Sequence, residues 1–135
     1  MAYIDWDDSL SVGSTLMDDH HKRLFDIFNR IHEAMKAGRG GEVIQGILRE
    51  LIDYTRYHFD EEEVMLQRIG YPQLDMHKGL HRKFVAELEG YEKEIDEGMA
   101  VFVATQVMNS SLAWLRDHIL KIDKGYTELV EKHGG

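Results

Sequence analysis

Apolar residues recur along the chain at helical rather than strand spacing, in four separate runs. Leu24, Phe25, Phe28, Ile31 and Met35 share one stripe, and Ile44, Ile47, Leu48 and Leu51 continue a second through Thr55. Leu80, Phe84, Val85, Leu88 and Tyr91 form a third, and Val107, Met108, Leu112, Leu115 and Ile119 a fourth. Glycine or proline breaks the pattern in GRGG at 38–41, IGYPQLD at 69–75 and DEGM at 96–99, where Asp75 also offers an N-cap. The runs are far longer than strands. They predict helices over about 18–37, 42–68, 75–95 and 100–121, with an N-terminal arm over 1–17 and a short helix after Asp123. Matched helices joined by short connections imply an all-α, up-down-up-down antiparallel four-helix bundle, a single domain over 1–135.

Composition narrows what such a bundle does. The chain has 135 residues, 43% of them apolar, enough to close a hydrophobic core. Its net charge of −9 argues against nucleic acid and anionic membrane surfaces as partners. No apolar run is long enough to span a bilayer, and no secretory signal opens the chain, so a cytoplasmic location is expected. The single proline suits long helices. The chain has no cysteine and eight histidines, so imidazole and carboxylate are the metal ligands to look for.

Five of those histidines interrupt the apolar stripes. His21 precedes Leu24 and Phe25 by a turn, His58 follows Thr55, His77 and His81 bracket Leu80, and His118 follows Leu115. A lone inward histidine is usually a core residue bonded to a neighbour. Five together each need a partner or lose roughly 1–3 kcal/mol, and a shared metal satisfies them all. Position i+4 lies about 40° from i on a helix, so Glu62 shares the face of His58. Asp60, Glu61 and Glu63 of the HFDEEE run are expected at the surface. Asp123 lies about 140° from His118 on a regular helix, so it joins the site only if that helix loosens or ends between them. Between His20 and His21, the stripe favours His21.

Five imidazoles and two carboxylates are too many for one tetrahedral zinc and suit two metal ions with bridging carboxylates. WDDSLSVG, DDHHKRLF, HFDEEEVM, YPQLDMHKGLH and WLRDHILKID, in that order from Trp6 to about Tyr126, make the chain resemble bacterial haemerythrin-like proteins. The resemblance implies two iron ions with an oxo or hydroxo bridge. One would be held by His77, His81 and His118 and the other by His21 and His58, with Glu62 and Asp123 bridging. The second iron would keep an open position for dioxygen. His20, His32 and His133 match no ligand position. The family's apolar oxygen pocket maps onto Phe59, Trp114, Leu115 and Ile119, which are equally plain core residues, and Tyr126 reads as either packing or a hydrogen-bonding neighbour of the site.

The expected function is reversible dioxygen binding without catalysis, as an oxygen- or redox-sensing domain of a chemotaxis-type signalling chain whose other domains would be its partners. A free-standing carrier and a di-iron peroxidase or nitric oxide-handling enzyme are the alternatives. The apolar character of the four pocket residues counts against the enzyme.

Overall fold

Ser14, in extended conformation, caps the first helix by accepting the Met17 amide on its hydroxyl at 3.2 Å, and helix α1 (Thr15–Lys36) follows. Helix α2 (Gly40–Arg68) ends in a left-handed Gly70 with φ 71°, where the Tyr71 amide donates to the Leu66 carbonyl and Gly70 to Gln67. This double closure requires a residue free to take positive φ. Helix α3 (Leu74–Asp96) closes in the same way at Gly98, with φ 92°. The chain then returns through α4 (Ala100–Gln106), a π-turn (Val107–Ser111) and α5 (Leu112–Lys121). A 3-10 turn (Asp123–Tyr126) and α6 (Thr127–Lys132) complete it. This computed structural model describes residues 4–134, and among them there are helices and turns but no strands. Residues 1–3 of the expected arm, and residue 135 of the domain, lie outside the described residues.

Helix α2 is the spine of an antiparallel four-helix bundle, packing against α1, α3 and α4, while α3 also packs on α4. Each helix turns its apolar stripe inward, and Phe28, Leu48, Leu88 and Val107 are among the fully buried residues. The fourth helix is not one continuous α-helix: its five-residue π-turn takes up one extra residue.

The arm is fastened to α1 and to the end of the chain. Asp18 accepts from the Val12 amide at 2.9 Å and the Ser11 hydroxyl at 2.6 Å. Trp6 packs on Phe25 with Lys22 over its ring, and Leu10 and Val12 enter the core. Lys124 donates to the Ser9 carbonyl at 2.7 Å, tying the arm to the turn that begins with Asp123.

Candidate metal centre

Seven polar residues from five of these elements meet inside the bundle. His21 comes from α1, His58 and Glu62 from α2, His77 and His81 from α3, His118 from α5, and Asp123 from the 3-10 turn. All seven are at most 4% exposed. The five-residue separation of His118 and Asp123 is accommodated because α5 stops at Lys121. Ile122 departs from helical geometry with φ −109° and ψ −57°, and Asp123 turns back to lie 3.0 Å from His118 Nε2.

The carboxylate oxygens divide the histidines into two sets. Glu62 Oε1 lies 3.0 Å from His77 Nε2 and 3.1 Å from His81 Nε2, whereas Oε2 faces His58 at 3.7 Å and His21 at 3.9 Å. Asp123 repeats the division, with Oδ1 2.9 Å from His77 and 3.0 Å from His118, and Oδ2 3.3 Å from His21. Each carboxylate therefore offers one oxygen to a group of three imidazoles and the other to the remaining imidazoles.

Burial makes charge expensive here, and the partners decide who carries it. Desolvation pushes His58 down to about 3, against the pull of Glu62. His77 is desolvated too, but the neighbouring carboxylates of Asp123 and Glu62 overcome this and hold it up to about 9. Burial and the neighbouring Asp123 both oppose ionisation of Glu62, yet donors from His77 and His81 keep its carboxyl below the usual range. Asp123 is opposed by burial and held down by His118, His21 and His77.

Hydrogen bonding does not satisfy this cluster. Both ring nitrogens of His21 and Asp123 Oδ1 are buried without a hydrogen-bond partner, although Oδ1 has two imidazole nitrogens at about hydrogen-bond distance. Short distances with the wrong directions are what lone pairs aimed at a common centre produce. His81 Nε2 and His118 Nε2 likewise face each other at 3.3 Å. Two overlapping sets of ligand atoms lie close enough to hold a metal ion each: Glu62, His77, His81, His118 and Asp123, and His21, His58 and Glu62. Neutral imidazole and carboxylate fit iron, and the donor set fits two ions sharing carboxylates.

Three surrounding residues extend the site. Tyr126, fully buried, donates its hydroxyl to Glu62 Oε2 at 2.7 Å. Burial, then the charges of Glu62 and Asp123, push its phenol well above the ordinary value, so it remains a donor. His20, left out of the ligand set by the sequence, is buried with its Nδ1 2.9 Å from His58 Nδ1 and its ring against Tyr54 and Tyr57. Asp60 and Glu61 are exposed as expected, whereas Glu63 is half-buried, still reached by solvent, and turned inward with Oε2 2.8 Å from His81 Nδ1. Angular position on α2 put it outside; α3 packs along that flank and brings His81 to it. Only the adjacency of His20 to His21 and of Glu63 to Glu62 hinted at either residue.

Phe59 stacks face to face on His81 at 3.6 Å between centroids, and Trp114 stacks on His118 at 4.5 Å and on Phe84 at 4.0 Å. Leu115 and Ile119 are buried on the same helix as His118. Phe59 and Trp114 thus wall the three-histidine side.

Residues 12–130 match the family model for the Hemerythrin HHE cation binding domain. A Bacteriohemerythrin of Pseudomonas aeruginosa is 32% identical over 130 residues, 96% of this chain and 83% of that protein. One of Clostridium acetobutylicum is also 32% identical, over 127 residues that cover 91% of this chain and 98% of that protein. A crystal structure of wild-type hemerythrin superposes with a TM-score of 0.82 at 31% identity, covering 96% of this chain and 98% of that one.

Proposed function

The chain belongs to the hemerythrin HHE family and carries its di-iron, oxygen-binding type of domain; on that premise we propose that it binds dioxygen reversibly to sense it. The observation that carries the reading is the division of the Glu62 and Asp123 oxygens between three imidazoles and two. In this assignment His77, His81 and His118 would hold one iron and His21 and His58 the other, with Glu62 and Asp123 shared between them. The set with fewer histidines would be the one with room for a ligand.

When bound, an iron pair would supply the two electrons that dioxygen takes up and returns on release. The chain's part is to keep that exchange closed. Glu62 and Asp123 supply two negative charges where burial would otherwise forbid them. Tyr126 donates to Glu62 and holds that carboxylate in one orientation. Phe59 and Trp114 against the three-histidine side, with Leu115 and Ile119 buried beside His118, keep water and protons from that half of the site, which favours release of a ligand unchanged over its reduction. These four side chains carry no acid or base, so the reading is of a binder rather than an enzyme, acting in the cytoplasm. Among the described residues no helix is long and apolar enough to cross a membrane.

The sensing role rests on the arm. Lys124 joins Ser9 to the turn that carries Asp123, so a shift of that carboxylate is felt at the N-terminus, where other domains of a signalling chain would attach. A free-standing carrier is the second reading, favoured because the chain spans 98% of the Clostridium acetobutylicum relative. The test is the absorption spectrum of the protein loaded with two irons, reduced without air, exposed to oxygen and then purged. A charge-transfer band that rises with oxygen and vanishes on purging supports reversible binding; immediate irreversible oxidation sinks it. In a Trp114→Phe background, a parallel change in Trp6 fluorescence supports sensing, and its absence supports the carrier.

A further inference from the structure

The histidine rings of the site differ in what holds their outer nitrogens. His58 Nδ1 meets the neutral imidazole of His20, whereas His81 Nδ1 meets the carboxylate of Glu63. A carboxylate accepts the Nδ1 proton and leaves the Nε2 lone pair free. Its negative charge also makes the ring a stronger electron donor to whatever Nε2 binds. Phe59 stacked on one face of His81 restrains the ring's plane, so Glu63 has only its tautomer and remaining tilt to set. Glu63 itself lines a surface cleft of about 460 Å³, together with Arg56, Asp60 and Arg82. It is the point where the interior of the site is coupled to a charge that solvent can reach.

We propose that Glu63 is a positioning residue that holds His81 in its metal-binding tautomer and biases the iron of the three-histidine set toward the ferric state. Among the described residues no carboxylate is bonded to the outer nitrogen of His58, where His20 brings no negative charge. The two halves are thereby made unequal by their surroundings as well as by ligand number. This deepens the proposed function and rests on His81 being an iron ligand.

Glu63→Gln keeps an acceptor oxygen and removes the charge, Glu63→Ala removes both, and Asp60→Asn removes a charge from the same cleft without touching His81. In the iron-loaded protein, Glu63→Gln is expected to retain two irons and to favour the ferrous state roughly tenfold more, a rise in potential of about 59 mV for one electron. Glu63→Ala is expected to lose iron affinity by roughly 10–100-fold in competition with a chelator. Asp60→Asn should leave both quantities at the parent values. The proposal is overturned if the Gln and Ala variants match the parent in potential and affinity, or if Asp60→Asn shifts the potential as far as Glu63→Gln. Should the Ala variant fail to fold by circular dichroism, the near-isosteric Gln variant decides alone. A parent that does not take up two irons overturns the site assignment itself; a parent that does, with indistinguishable variants, overturns only the role of Glu63.

Discussion

Glu62 keeps a charge in the middle of the bundle because donors reach both of its oxygens, His77 and His81 at Oε1 and Tyr126 at Oε2. Replacing Tyr126 by phenylalanine leaves the ring to pack against Tyr71, so no cavity opens. What is lost is one hydrogen bond to a buried anion, worth about 1.5–3 kcal/mol. Urea unfolding of metal-free Tyr126→Phe should show that loss. A change within about 0.5 kcal/mol, as for an ordinary surface substitution, would mean that Glu62 finds another donor. At this scale sequence reasoning reaches contacts made along one helix, such as Glu62 one turn after His58. It does not reach contacts made between helices: Glu63 and His81 come from α2 and α3, and His20 and His58 from α1 and α2. Which flank of a helix receives a neighbour is not written in its own period.

Four helices were legible because their stripes are long and glycine closes each turn. The irregularity in the fourth was legible in principle too. Its buried residues recur in fours: Val103 and Ala104, Val107 and Met108, Ser111 and Leu112, then Leu115. On a regular α-helix a step of four gains about 40°, so twelve residues from 103 to 115 drift by about 120°. One extra residue in the π-turn cancels most of that drift and keeps Leu115 and His118 facing the core. Deleting Asn109, an exposed residue of the turn, removes the compensation. Either α4 or α5 must then rotate by about 100°. The expected result is a helical protein by circular dichroism that binds fewer than two irons. Parent stoichiometry in this variant would show that the π-turn has no part in aiming His118.

Across the whole molecule, the price of a metal site is the burial of its seven polar residues, and the metal-free protein should reveal it through pH. His77 is raised from 6.5 to about 9, so its contribution to stability is complete below 6.5 and is lost as pH rises through 9. His58 is lowered from 6.5 to about 3, so the unfolded chain takes up its proton first and stability falls as pH drops below 6.5. Glu62 and Asp123, both lowered, stabilise the fold above the ordinary carboxylate range and add to the loss at acid pH. The two sides meet near 6.5, and thermal melts of the metal-free protein should peak there and decline in both directions. Loading iron requires His77 to give up its proton, because the metal takes the lone pair that the proton occupied. The alkaline decline should therefore disappear in the iron-loaded protein while the acid decline persists, since carboxylates and imidazoles must be protonated to release the metal. If the metal-free melting temperature instead stays level from pH 6.5 to 9, Asp123 and Glu62 do not hold a proton on His77.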